Sequence, residues 1–88
     1  MNDSQNNDLK NGNTLIADTG NHRVIEVSKE GQIVWTFTRD KKYKLLFPTF
    51  AKRLKNDRTL IIYSNNKNVV EVNSDGQVVW SLTVKDNT

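Results

Sequence analysis

Few residues of this chain are equipped for chemistry. His22 is its single histidine, flanked by Asp18 and Glu26. An imidazole beside two carboxylates could act as a general base or ligate a metal ion, but either role draws on further ligands or an orienting partner. The chain holds no second histidine and no cysteine to complete such a set. His22 is therefore expected to be a turn residue that hydrogen-bonds backbone groups. Asp18-Thr19-Gly20-Asn21 is polar enough to attract calcium. It lacks the ligand spacing and terminal glutamate of an EF-hand loop, so it reads as an Asx-type turn. Ser4, Ser28, Ser64, Ser74 and Ser81 stand outside any nucleophile-elbow context. Neither a P-loop nor a dinucleotide-binding glycine fingerprint occurs. The expectation is a non-enzymatic chain with no catalytic residue, no metal and no cofactor.

A second group of residues could bind rather than react. The net charge of +3 is unevenly spread, with Arg39, Lys41, Lys42, Lys44, Lys52, Arg53, Lys55 and Arg58 opposed only by Asp40 and Asp57 in that stretch. Tyr43, Phe47 and Phe50 are interleaved with these cations. Positive charge beside aromatic rings is the chemistry of single-strand nucleic-acid and anionic-ligand binding. Lys41, Lys42, Lys44, Lys52 and Arg53 are the candidate contacts. The plainer alternative is a soluble connector between apolar strands, and this is the simpler reading.

The elements that would carry these groups form a repeat. Asn11–Phe37 (NGNTLIADTGNHRVIEVSKEGQIVWTF) returns without a gap as Asn56–Leu82 (NDRTLIIYSNNKNVVEVNSDGQVVWSL). Thr14 maps to Thr59, Val27 to Val72, Gly31 to Gly76 and Trp35 to Trp80, a period of about 45 residues, which is a repeat-architecture signal. Each copy splits into three short β-branched segments separated by Asn/Gly-rich turns, which predicts strands at Thr14–Asp18, Arg23–Ser28 and Gln32–Thr38. Their counterparts are Thr59–Tyr63, Asn68–Asn73 and Gln77–Thr83. Thr49–Leu54, entered through Pro48, reads as a fourth strand type. Connections this short impose antiparallel meanders. Apolar residues occur on both faces: Leu15, Ala17, Ile25, Val27, Ile33, Trp35 and Phe37 compete with Ile16, Val24 and Val34. A sheet with one wet face alternates cleanly, so these sheets are expected to be covered on both sides. Radially stacked four-stranded blades meet that need.

The same residues resemble known families. NGNTLIADTGNHRVIEV, with Asn21-His22-Arg23 after a strand and turn, resembles the NHL repeat. The second copy departs from the signature at Asn66-Lys67-Asn68. The strand ends Gly31-x-x-x-Trp35 and Gly76-x-x-x-Trp80 look like the tryptophan docking motif of quinoprotein-type propellers. Bacterial arylsulfotransferase-like propellers contain similar runs. All three families are β-propellers, so the resemblance implies an innermost strand at Thr49–Leu54 and outermost strands at the tryptophans. It implies packing between blades or chains for Trp35, Phe37, Trp80 and Leu82. Trp80→Ala is accordingly expected to cost about 3–5 kcal/mol. Some NHL propellers bind RNA through a basic face, which lends the nucleic-acid alternative its support. The sulfotransferase catalytic motif is missing, so an enzyme fragment of that kind would be inactive in aryl sulfate transfer.

The expected fold is all-β: antiparallel four-stranded propeller blades, about two per chain. Residues 1–8 would form a polar tail, 9–43 the first blade with a weak or missing innermost strand, and 44–88 the second. A chain of 88 residues builds only a thin core, and a propeller closes with about four to eight blades. Two blades leave two apolar outer faces, and patches of several hundred Å2 mark interaction surfaces. The expectation is a homo-oligomeric ring of about three or four chains, serving as a scaffold or a module for a protein, peptide or ligand. No apolar run reaches the roughly 18 residues of a membrane span. The N-terminal segment lacks a signal-peptide core, making the cytoplasm the default compartment.

Overall fold

The β-branched segments fold as strands because each is half apolar and closed by a residue that accepts left-handed backbone geometry. The computed structural model describes residues 6–38, 45–64 and 67–85. Its strands are β1 (Asn6–Asp8), β2 (Thr14–Asp18), β3 (Arg23–Val27), β4 (Ile33–Thr38), β5 (Pro48–Arg53), β6 (Thr59–Tyr63), β7 (Asn68–Val72) and β8 (Val78–Thr83). They make two four-stranded antiparallel sheets in sequential order, β1 to β4 and β5 to β8. No α-helix occurs among the described residues. β1 falls inside the polar stretch 1–8, so the first sheet begins earlier than a boundary at residue 9. Strand pairing uses backbone N–H and C=O groups, which an asparagine supplies as well as a valine.

The two copies repeat each other down to single hydrogen bonds. The Leu9 N–H donates to the Asn13 carbonyl as the Leu54 N–H does to Arg58. The Asn11 and Asn56 side-chain oxygens each accept from the amide two residues on, at 3.0 and 3.1 Å. His22 and Lys67 take left-handed φ values of 54° and 55° at the same place in each copy. The turns before the outer strands use Gly31 (φ 86°) and Gly76 (φ 81°), where a side chain would be strained. Both sheets carry an irregularity in register at equivalent points, between Glu26 and Val27 and between Glu71 and Val72. Such bulges sharpen the local twist of the sheet.

The core lies between the sheets. Leu15, Ala17, Val24 and Phe37 of the first sheet meet Ala51, Ile61, Tyr63, Val70 and Val72 of the second, with Leu45 filling the same cluster. β2 and β5 run closest, with Cα atoms within 8 Å of each other. Ala17 and Ala51, both buried there, are small enough to allow that approach.

Candidate functional site

Register shows which face of each sheet is used. Leu15 pairs with Glu26 and Glu26 with Trp35, while Ala17 pairs with Val24 and Val24 with Phe37, so all six share one face of the first sheet. In the second sheet their repeat equivalents are Leu60, Glu71, Trp80, Ile62, Val69 and Leu82, also linked by register on one face. That face is not the one turned toward the core. The second sheet instead buries Ala51, Ile61 and Val70 together with Thr59 and Val72, its opposite face. The seam therefore joins unlike faces: the tryptophan-bearing face of the first sheet meets the reverse face of the second. One face of each kind is left uncovered in the chain.

Polar groups pin the seam along its length. The Arg53 guanidinium donates to Glu26 Oε1 at 3.1 Å across the sheets, and its Nε donates to Thr59 Oγ1 at 3.0 Å. The same guanidinium lies 5.4 Å from the Trp35 ring centroid, within cation–π range. Trp35 Nε1–H donates to the Ser74 carbonyl at 3.1 Å. At the other end, Thr19 Oγ1–H donates to the Pro48 carbonyl at 2.7 Å, and the Phe47 N–H donates to His22 Nδ1 at 3.1 Å. The His22 and Phe47 rings meet edge to face at 4.4 Å.

Glu26 is the electrostatic centre of the seam, at only 6% exposure. Burial pushes its carboxyl up. Hydrogen bonds from the Asn13 and Asn11 side chains, at 2.8 and 3.2 Å, and the Arg53 contact outweigh that and hold it below its ordinary value. Asp18 is also held below its ordinary value, chiefly by the 2.8 Å hydrogen bond from Arg23 Nε, with Asn21 adding a second donor. A cleft of about 420 Å3 opens at the Glu26–Arg53 end of the seam, lined by Asp8, Lys10, Arg53, Lys55 and Asp57 together with Leu9, Asn11 and Leu54. Its charges are mixed in sign.

The candidate residues thus divide. Trp35 and Phe37 lie in the seam, Phe37 at 5% exposure. Trp80 and Leu82, their equivalents, stand at 45% and 51% exposure on the open face. His22 accepts a backbone hydrogen bond and packs on Phe47. Among the described residues no group of three or more His, Cys, Asp or Glu is placed to hold a metal ion. Arg53 is engaged by Glu26, Thr59 and Trp35 rather than turned to solvent. Lys52 is exposed on the opposite face, beside Leu60 in register. Lys41, Lys42 and Lys44 lie outside the described residues. Sequence reading missed Glu26 as the buried anchor. The signal was present: a glutamate between Ile25 and Val27 recurs as Glu71 between Val70 and Val72.

The fold and seam define a class, an all-β chain of two stacked antiparallel meanders built from one repeated sequence. No protein-family model matches the chain, and no curated protein matches it. Among solved structures, the chain is similar to a crystal structure of a protein of unknown function from Bacteroides caccae, at a TM-score of 0.72 and 21% identity. The match covers 90% of this chain and 27% of that one, so the chain spans about a quarter of the length of its structural neighbour. At that identity the likeness concerns the fold alone. No helix among the described residues is long and apolar enough to cross a membrane.

Proposed function

We propose that the chain is a non-enzymatic interaction module: two propeller blades that stack head to tail with further copies of the same repeat and so close a ring. The observation that carries this reading is the unlike pairing of faces at the seam. A contact between two equivalent faces would be complete in itself. A contact between unlike faces leaves one of each kind unused, and identical units joined this way form rings when the rotation closes. The unused face of the second sheet carries Trp80 and Leu82 in water, with Leu60, Ile62 and Val69 only half-buried. The unused face of the first carries Ile16 and Val27, both half-buried, around Ile25, which is already buried at 7% exposure. Covering both at roughly 25 cal/mol per Å2 favours association. The occupant is a second chain or, in a longer protein, the next repeat of the same chain.

The test is native mass by light scattering or sedimentation on the 88-residue chain. A concentration-dependent species of about three or four times 10.1 kDa is expected. A folded monomer at all concentrations overturns self-association.

A further inference from the structure

We infer that a second copy docks on the open face of the second sheet through an ion pair of Arg58 with the partner's Asp8, the seam's charge pair with its polarity reversed. The inference rests on the head-to-tail reading and adds the register and chemistry of the contact. The displacement carrying the first sheet onto the second, applied once more, seats a first sheet of another copy against Trp80 and Leu82. In the existing seam the acid, Glu26, belongs to the leading sheet and the base, Arg53, to the following one. The repeat places Glu71 where Glu26 stands and Arg58 where Asn13 stands. The position of Arg53 is held in the first sheet by Asp8, paired to Thr14 as Arg53 is paired to Thr59.

The substitutions compensate one another. Asn13 donates to Glu26 from within its own sheet at 2.8 Å, leaving that carboxylate to draw in a cation from across the seam. Arg58 takes Asn13's place and supplies the cation itself, 3.5 Å from Glu71. Its side chain stays about two-fifths exposed, at 43%, and its guanidinium has further N–H donors for a second carboxylate. Asp8 is exposed in its strand at the matching position, where it also borders the cleft that Arg53 and Lys55 line. The apolar surroundings also correspond: Ile61, Val70 and Val72, buried in the seam, are Ile16, Ile25 and Val27 in the docking face. Among the described residues, the other charged groups on the two apposed faces include Asp18 and Arg23, already paired at 2.8 Å, on the first sheet and the exposed Lys52 beside Leu60 on the second.

The experiment is a double-variant cycle on association of the full chain, read by sedimentation with circular dichroism as the folding control. Arg58→Asn leaves the partner's Asp8 facing Glu71 and is expected to weaken association tenfold or more. Asp8→Arg sets a cation against Arg58 and is expected to weaken it several-fold. The combined Asp8→Arg and Arg58→Asn variant rebuilds the acid, amide and arginine arrangement of the existing seam. It is expected to associate at least as tightly as the unaltered chain. Additive losses in the combined variant, with the unaltered chain still assembling, overturn the pairing and leave the ring standing. A folded, monomeric unaltered chain overturns self-association and the pairing with it. Asp8→Asn, which removes charge without reversing it, is expected to weaken association less than Asp8→Arg. The opposite order overturns the pairing.

Discussion

Glu26 and Glu71 hold the same position in their sheets and have different surroundings. Glu26 is buried under two asparagines and an arginine from the other sheet. Glu71 has a longer contact, 3.5 Å to Arg58, which is itself partly in solvent. Trp35 and Trp80 differ in the same way: one gives its indole N–H to a carbonyl across the seam, the other stands half in water. One local sequence pattern thus yields a buried joint in one place and an unpaired surface in the other. What separates them is whether a following sheet is present.

Paired substitutions sharpen this contrast, and the largest effect belongs to the core. Leu15→Ala, at a position with no exposure, should lower unfolding free energy by about 3 kcal/mol. The equivalent Leu60→Ala should cost about 1 kcal/mol in the monomeric chain, and under the proposed ring the cost should approach the Leu15 value at high protein concentration. Urea unfolding at two protein concentrations measures both, and equal costs at high dilution would break the comparison. Next is the ion pair. Arg53→Ala leaves the Glu26 carboxylate buried without its cation and should cost about 2–3 kcal/mol. Arg58→Ala removes a solvent-screened pair and should cost under about 1 kcal/mol in the monomer.

The tryptophans come third. Trp35→Phe loses the bond to Ser74 and should destabilise by about 1 kcal/mol. Trp80→Phe should leave the thermal midpoint of the dilute chain unchanged. The full 3–5 kcal/mol expected of Trp80→Ala from sequence applies only where a partner covers that side chain. In a single chain its 45% exposure reduces the loss.

The smallest effect is on acidity. Glu26 has a folded value held below its ordinary 4.5, so its contribution is present above that value and lost as pH falls through the lower folded one. Acid unfolding monitored by fluorescence should therefore show a protonation-linked step below pH 4.5 that disappears in Glu26→Gln. An identical acid limb in that variant would remove Glu26 from the account.

Much of the meander was legible in the chain. Thr59–Tyr63 and Thr14–Asp18 occur as strands at the residues expected from their alternation and turn signals. Pro48 opens β5, where its missing N–H interrupts nothing. The turn role of His22 followed from its lack of partners, and it is seen accepting a backbone hydrogen bond. Glu26 was harder to read, because a charged residue among valines looks like a solvent position until its partner is known. That partner, Arg53, comes from another sheet and stands in the sequence within a basic run.

The sequence alone determined the repeat, the strands and their turns, because these depend on side-chain alternation and on residues that tolerate left-handed backbone over short spans. Which face of each sheet would meet the other was decided only in three dimensions. Apolar residues on both faces permit either choice, and the seam that forms brings β2 against β5, with Ala17 and Ala51 buried in the shared core, and supplies a buried carboxylate with a cation from across the gap.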